Sequence, residues 1–299
     1  MKVINPITMA PAMLVSTNAV ETDAEYNAAT AYALDARCTM ASTNRTYQCI
    51  QGPNTGHNPS TSPLWWTDIG PSNKWAMFDA NVGTTTKALN TLTVTVATGL
   101  IDSVALIGVV GQTAQVVVRD GPGGAVLYDS TLSFSGDTPT DWYSYFFYDS
   151  NANRTIGVFK NIPPYMSANV TVTVTSGVDA ELGVMTFGLS YDIGKATYGA
   201  TAGIVDYSKK NTNATTGVTT FVQGAYSKRL SLNLVLDATQ FNRVQRLMYG
   251  LRAKPAVWVA SEDANMTEAS VVYGFYRDFS ATIAYPYYTL YALEIEGLV

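Results

Sequence analysis

Several segments of this chain alternate apolar and polar residues, and this feature constrains the fold more than any other. A period of two places successive side chains on opposite faces of an extended strand, so such segments are typical of half-buried β-strands. They are residues 91–96 (TLTVTV), 114–119, 169–175 (NVTVTVT) and 230–236 (LSLNLVL). Clusters of turn-forming residues separate them, at 120–124, 135–137, 149–153 and 211–217. Short strands between regular turns indicate a sandwich or barrel, and we predict a mainly β fold.

One segment has a helical period instead. In residues 237–251 (DATQFNRVQRLMYGL), apolar side chains recur at spacings of three and four, which places them on one helix face. They are Phe241, Val244, Leu247, Met248 and Leu251. Asp237 precedes them as a candidate N-cap. We therefore predict one packed helix at about 237–251, the longest in the chain.

The composition excludes some classes of function. Hydrophobic residues make up 47% and charged residues 14% of the chain, against roughly 25% charged residues in an average globular protein. This excludes disorder and suggests that partners cover part of the surface. The net charge is −5 and no basic stripe is present, so we expect no nucleic-acid partner. No apolar run is long enough for membrane insertion, and Pro6 and Pro11 interrupt the first one, which argues against an export signal.

Changes in composition divide the chain into four parts. We predict an extended N-terminal arm (1–22), a small module rich in Tyr and Trp (23–69), a β-sandwich (70–202) and a C-terminal β domain (203–299) that holds the helix. A glycine-rich joint near 194–203 separates the last two parts. We expect the arm to strap onto an adjacent subunit.

The residues that commonly perform catalysis are scarce. His57 is the single histidine and lies among turn formers, where we expect a solvent-exposed loop. One histidine cannot build a His-rich metal site, and no nucleophile elbow, P-loop or dinucleotide-binding motif is present. Cys38 and Cys49 share one local segment. We favour two small buried residues there, although the two thiols could also face each other across a hairpin.

Two carboxylates share one face of the last predicted strand. Glu294 and Glu296 alternate in the sequence LEIEG, and paired carboxylates can act on a glycosidic bond. We favour a solvent-facing position on a terminal strand. The chain is therefore predicted not to be an enzyme and to need no cofactor or metal.

The order of aromatic residues in 26–66 resembles that of the small carbohydrate-binding modules attached to chitinases. The shared pattern is an aromatic residue, a tyrosine, two strands, a proline-rich loop and a tryptophan. The chain departs from it at 35–38, where Asp-Ala-Arg-Cys stands in place of Gly-Asp-x-Val, so we expect an altered turn.

That resemblance implies stacking of sugar rings on exposed aromatic faces. The candidates are Tyr32, Tyr47, Trp65 and Trp66. Adjacent residues of an extended chain point to opposite sides, so one tryptophan should lie in the core and the other should be free. The alternative interpretation is that all of these rings form the core of a domain with little other apolar area to bury.

Two further stretches, residues 73–79 (NKWAMFD) and 273–279 (YGFYRDF), are the most specific part of a resemblance that covers nearly the whole chain. The chain resembles a family of tail and virion proteins of tailed bacteriophages. The resemblance implies a structural component of the tail (baseplate, distal tail or fibre-attachment protein) that is assembled in the host cytoplasm into the virion. The expected partners are other tail proteins, further copies of the chain and a host surface glycan. The alternative is a carbohydrate-binding adhesion protein outside a virion.

The C-terminal domain carries most of the positive charges of the second half of the chain. Arginine beside aromatic residues is typical of interface cores, and tyrosines supply rigid contact area. We therefore predict that this domain docks into the particle. The candidate interface residues are Arg243, Arg246, Tyr287 and Tyr288.

Overall fold

The structure is a computed structural model that describes residues 1–136, Trp142, Phe146, 153–212, 215–261, 267–282 and 286–298. Strands dominate this part of the chain, which confirms the mainly β prediction. The strands are β1 (Lys2–Pro6), β2 (Leu14–Thr17), β3 (Arg37–Met40), β4 (Arg45–Cys49), β5 (Trp66–Pro71), β6 (Thr86–Ala97), β7 (Ser103–Val110), β8 (Thr113–Asp120), β9 (Val126–Ser133), β10 (Ile156–Phe159), β11 (Ala168–Asp192), β12 (Lys195–Ala196), β13 (Thr201–Asp206), β14 (Lys209–Thr212), β15 (Thr219–Val222), β16 (Tyr226–Asp237), β17 (Ala256–Val259), β18 (Val271–Thr282) and β19 (Tyr288–Gly297). Two helices are described over their full length, α1 (Ala238–Gly250) and α2 (Thr267–Ser270), and short 3-10 turns lie at Pro11–Met13 and Ala76–Phe78. Trp142 and Phe146 are also helical.

The long strand β11 belongs to a 14-stranded sheet that branches along it. Its first half pairs with β6 on one side and β8 on the other, which gives the order β2-β6-β11-β8-β9. Its second half pairs with β7 and β1, in the order β10-β7-β11-β1-β17-β18-β19-β16, and β12 and β13 pair with β16. The register of β11 against β6 shifts between Thr175 and Asp179, and the two strands pair on both sides of the shift. The largest hydrophobic core is built from side chains of β6, β7, β8 and β11.

The N-terminal segment does not form the predicted strap. Residues 2–6 are instead a central strand, antiparallel to both β11 and β17. Val3 and Ile4 are buried on opposite faces of the sheet, and each belongs to a different core cluster. Gly188 pairs with Pro6, and a Cβ on Gly188 would collide with the carbonyl oxygen of Asn5. The first residues of the chain are therefore part of its own sheet.

The predicted helix is confirmed. Helix α1 packs against β16 and β19 and buries Val244 and Met248 in a core shared with Trp258. The N-cap is also as expected, because the Asp237 carboxylate accepts hydrogen bonds from the backbone N–H (2.8 Å) and hydroxyl (2.6 Å) of Thr239. These bonds favour the charged carboxylate and lower the pKa of Asp237 below its ordinary value. Among the described residues, α1 is the longest helix.

Residues 23–71 form a unit with its own three-stranded sheet, β3-β4-β5, and its own core. The boundary expected after residue 69 lies inside β5, which continues to Pro71. The entry and exit of this unit lie side by side. The Ser72 hydroxyl donates to the Glu21 carboxylate (2.9 Å), and the Asn73 amide donates to the Val20 carbonyl (2.7 Å). We call this unit the aromatic module.

The boundary expected near residue 203 does not separate two sheets. A single run of paired strands continues from the sandwich, through β1, into the C-terminal strands. Strand β13 contains this position and β12 precedes it, and both strands pair with β16. Residues 195–202 therefore lie with the C-terminal strands, because backbone pairing does not follow the change in composition.

Candidate functional site

The four candidate sugar-stacking rings lie in different environments. Trp66 (2% exposed) and Tyr47 (6% exposed) are core residues of the aromatic module. Tyr32 is half-buried and packs edge-on against Trp66, with ring centroids 5.0 Å apart, and stacks on Tyr26 at 5.8 Å. Its hydroxyl oxygen accepts the backbone N–H of Asn27 at 2.8 Å. The structure thus places Tyr47 and Trp66 where a sugar cannot reach them, because the module needs their rings for its own core.

Trp65 is partly buried, as Tyr32 is, and packs against the edge of the module core. It packs face to face on the imidazole of His57, with centroids 4.1 Å apart and planes 12° apart. The adjacent Trp66 is buried, so the prediction that one tryptophan lies in the core is confirmed. Stacking on a held imidazole fixes the orientation of the indole, which favours it as a rigid contact surface.

His57 is half-buried rather than lying in a solvent-exposed loop as expected. Its Nδ1 lies 2.8 Å from the Oδ1 of Asn54, and its backbone carbonyl accepts the indole N–H of Trp66 at 2.8 Å. Asn54 is fully buried and also exchanges two backbone hydrogen bonds with Tyr32. Sequence analysis missed Asn54, and the single signal for it was its position before Thr-Gly in a turn. These bonds connect the half-exposed Trp65–His57 pair to the core of the module.

An apolar rim borders this pair. The backbone N–H of Asp35 donates to Cys49, and that of Ile50 donates to Trp65, so three chain segments meet at one end of the sheet. Side chains beside these contacts are exposed: Leu34 by 60%, Ile50 by 46% and Leu64 by 78%. Exposed apolar groups that cluster in this way mark contact surfaces more often than isolated ones do.

The segment that departs from the carbohydrate-binding pattern retains a turn. Asp35 has a φ of 66°, in the left-handed region that glycine adopts most readily and that aspartate tolerates. Its carboxylate accepts the side-chain amide of Gln48 at 3.0 Å, which holds the turn against β4. Aspartate stands here where the carbohydrate-binding modules have glycine, and the backbone keeps a left-handed conformation at this position.

Cys38 and Cys49 are free thiols and are both buried in the core of the module. They do not face each other, because Cys38 pairs with Tyr47 and Cys49 pairs with Trp66. Burial, assisted by the nearby Asp23, raises the pKa of Cys38 to about 11. The two cysteines are therefore small buried residues, which is the interpretation favoured from the sequence.

The four candidate docking residues lie on or beside α1. Arg243 and Arg246 are exposed on the helix, and the Arg243 guanidinium lies 5.7 Å from the ring centroid of Tyr191. Tyr287 is 82% exposed, and its carbonyl accepts the first N–H of the helix, from Ala238, at 3.0 Å. Tyr288 pairs with Asp237 in the sheet. The structure therefore brings these residues to one region, around the helix and its N-terminal end.

A second exposed feature was not anticipated from the sequence. Strands β14 and β15 form a two-stranded hairpin that pairs with no other described strand. We call residues 207–212 and 215–225 the β-arm. Val218 (60%), Phe221 (76%) and Val222 (54%) are exposed on it, and no described core cluster includes a residue of the β-arm. At its base, Tyr207 N–H donates to the Ala225 carbonyl at 3.0 Å.

The two glutamates of β19 are part of ion pairs. Glu294 contacts Arg229 at 3.1 Å, and Glu296 contacts Arg277 at 3.5 Å. The side chains lie on the face opposite the helix, which agrees with the solvent-facing position favoured from the sequence. Each carboxylate is therefore balanced by an arginine at the surface.

An apolar cavity of about 320 Å³ lies where the sandwich meets the C-terminal strands, and its walls include Ile107, Ile156 and Tyr273. Lys228 lines it and donates to the Glu268 carboxylate at 3.0 Å. The same carboxylate accepts the backbone N–H of Thr155 at 2.9 Å and that of Ile156 at 3.2 Å. Burial raises the pKa of Tyr273 to about 12. These hydrogen bonds to Glu268 hold α2 against the sandwich.

The stretches that carry the whole-chain resemblance have structural positions. In residues 73–79, the Asn73 side chain bridges Val20 and both backbone groups of Lys87, and Met77 is fully buried. In residues 273–279, Gly274 lies so close to the carbonyl of Glu296 that a side chain would not fit. In both stretches, these residues hold neighbouring strands in position.

Over the described residues, no group of three or more His, Cys, Asp or Glu side chains is placed to hold a metal ion. None of the helices in those parts of the chain is long and apolar enough to cross a bilayer.

Comparisons with known proteins add little. No protein-family profile matches the chain, and no curated protein gives a significant match. Among solved structures, the chain is similar to the one titled "X-ray crystal structure of reduced XRCC1 bound to DNA pol beta catalytic domain". The match has 17% identity and a TM-score of 0.25, and it covers 62% of this chain and 98% of that one. A TM-score this low supports no inference about fold or function.

Proposed function

We propose that the chain is a non-catalytic structural subunit of a bacteriophage tail, assembled in the host cytoplasm with other tail proteins. The β-arm carries this proposal. A two-stranded hairpin by itself is at best marginally stable in water, and this one exposes Val218, Phe221 and Val222. Apolar groups exposed on such an element favour a role in which a partner covers them. The resemblance of the chain to tail proteins supplies the identity of the particle.

The layout of the chain supports a division of roles. The β-arm and α1, with Arg243 and Arg246, belong to the C-terminal strands, which we propose as the anchor. The aromatic module is joined to the rest of the chain at adjacent points, through Glu21–Ser72 and Val20–Asn73. An insertion with adjacent ends can project from the body without interrupting it, so we propose that this module is the displayed part.

Incorporation into particles tests the anchor. Replacement of Phe221 and Val222 by serine should leave the circular dichroism spectrum unchanged but remove the protein from purified particles. Charge reversal at Arg243 and Arg246 should have the same effect. The matched control is Thr219→Ser with Thr220→Ser, which alters the same strand but removes only two methyl groups and keeps Phe221 and Val222.

Excision of the aromatic module tests the display role. Particles made with residues 23–71 replaced by a short glycine linker should still contain the protein. The proposal is contradicted if this deletion abolishes incorporation while the serine and charge-reversal variants are incorporated normally.

A second candidate function is glycan binding, favoured by the half-exposed Trp65 held on His57 beside the apolar rim. Chitin oligomers, or glycans from the host surface, would be titrated into the full-length protein. Trp65→Ala should weaken binding at least tenfold, because one aromatic platform supplies much of a sugar contact. Tyr249→Ala, which removes an exposed ring on α1, serves as the control. Equal binding by both variants would exclude Trp65 as the platform.

A further inference from the structure

Strand β13 is an open edge of the C-terminal sheet. It pairs with β16 from Thr201↔Ser231 to Asp206↔Tyr226, and no other described strand pairs with it. Five of its six residues are exposed, and Ile204 is 69% exposed. A Cβ on Gly203 would meet no atom within 4 Å. Both faces and the outer edge of this strand are therefore open.

The register shows which backbone groups point outward. The N–H of Tyr207 donates to the carbonyl of Ala225, which makes these two residues a hydrogen-bonded pair. In an antiparallel ladder such pairs alternate, so the residues at 205, 203 and 201 bond to β16 and those at 202, 204 and 206 point away. Ala202, Ile204 and Asp206 thus offer a row of N–H and C=O groups to a further strand.

The usual protection of such an edge is missing. Sheet edges are commonly blocked by lysine, proline or a bulge. Strand β13 (TAGIVD) contains neither residue, its pairing with β16 has no register shift, and its single charge is Asp206 at the end. An edge of this kind is suited to pairing with another extended strand.

We propose that β13 pairs antiparallel with β13 of a second copy of the chain, about a two-fold axis at Ile204. This register places Ile204 opposite its equivalent, Ala202 opposite Asp206, and Gly203 opposite Val205. Outward-pointing residues then meet outward-pointing residues, and no like charges lie opposite each other. The exposed Ile204 side chains cover each other at the axis. The inference rests on the proposed role as an assembly subunit and names one of its partners.

The β-arm adds contact area to the proposed dimer, and its charge is complementary to that of the second copy. It starts directly after Asp206, so antiparallel pairing carries each arm past the Thr201 end of the other copy, near its fully exposed Tyr198. Residues 207–225 contain Lys209 and Lys210 and no acidic residue, a charge of +2. The whole chain carries −5, so the remainder carries −7 (−5 − 2). A basic arm on an acidic body is attracted to a second body of the same kind.

Sedimentation equilibrium of the full-length protein tests the dimer. We expect a species of two 32.2 kDa chains. Ile204→Pro removes an outward N–H without breaking a bond to β16, and should raise the dimer dissociation constant about tenfold or more. Ile204→Val keeps the N–H and should leave the dissociation constant within a factor of about two.

Cysteine cross-linking tests the register and does not depend on the proline variant folding. A hydrogen-bonded antiparallel pair has Cα atoms about 5.5 Å apart, within the range of a disulfide. Ile204→Cys should therefore form a cross-linked dimer on mild oxidation, whereas Val205→Cys, which faces Gly203, should not. Cys38 and Cys49 are buried and will not compete. A wild-type protein that stays monomeric at high micromolar concentration would overturn the inference, as would a dimer that Ile204→Pro leaves intact and Ile204→Cys fails to cross-link. Either result leaves the proposed tail function to be judged by particle incorporation alone.

Discussion

At the scale of single residues, neighbours in sequence have opposite roles. Trp65 and Trp66 are adjacent, yet one stacks on His57 at the surface and the other is buried beside Tyr47 and donates its indole N–H to the His57 carbonyl. Trp65 ends a turn in which its N–H and that of Trp66 both donate to the Ser62 carbonyl, whereas Trp66 begins β5 and its ring enters the core of the module. A single substitution can therefore separate a role in recognition from a role in stability.

The two tryptophans should respond differently to removal. Trp66→Ala should destabilise the aromatic module by about 3–5 kcal/mol, since it deletes a buried aromatic ring. Trp65→Ala should cost less than about 1 kcal/mol, since that ring is half-exposed. Limited proteolysis of the module across a urea series measures both. Equal protease sensitivity of the two variants would show that the burial of the two rings has been assigned wrongly.

The buried Cys38 thiol should make stability depend on pH in the alkaline range. Its pKa is raised from 9.0 to about 11 in the folded protein, so the unfolded chain loses this proton first as the pH rises. The free energy of unfolding should therefore fall as the pH increases from 9 towards 11. Cys38→Ala should reduce that slope, and urea unfolding at pH 8, 9 and 10 would measure it. An unchanged slope in the variant would assign the effect to other groups, such as Tyr273.

At the scale of elements, strand β1 connects more of the fold than its length suggests. Strand β1 is five residues long, but it joins the sandwich to the C-terminal strands by pairing with β11 and β17 at once. Val3 contributes to the core beneath α1, and Ile4 to the cluster on the other face. Short strands can be decisive in this way when both of their edges are paired.

A graded series at Ile4 tests the role of β1. Ile4→Val should cost about 0.5–1.5 kcal/mol and Ile4→Ala about 2–5 kcal/mol, because the residue is 1% exposed. Deletion of residues 1–6 should lower the free energy of unfolding more than either substitution, since it leaves the facing edges of β11 and β17 unpaired. Denaturant unfolding and the fraction of soluble protein are the measurements. The assignment fails if the truncated chain unfolds at the wild-type denaturant concentration.

At the scale of the whole molecule, one run of paired strands forms the body and the aromatic module is inserted into it. The chain leaves the body near Glu21 and returns at Ser72, whose side chains share a hydrogen bond. The module has a separate sheet and a separate core. The body therefore does not need the module to complete its own strand pairing.

Excision of the module should leave the body folded. With residues 23–71 replaced by a short glycine linker, the remaining chain should keep its strand signal in circular dichroism and a cooperative thermal transition. Hydrogen exchange in β6 and β11 should stay slow, because these strands pair with each other rather than with the module. Rapid exchange throughout β11 would show that the body depends on the module.

The sequence by itself determined the features that depend on local patterns. Alternation at 91–96 and 169–175 predicted strands that do pair with each other, and Asp237 with the apolar spacing after it predicted α1 and its cap. Only the tertiary structure decided where distant segments meet. The pairing of β1 with β11 joins residues more than 180 positions apart, and the burial of Tyr47 depends on three strands closing together. The edge of β13 is open because none of the later strands in the described part of the chain returns to it. A local pattern records which face of a strand is apolar, but the partner of that strand is chosen by the packing of the whole chain.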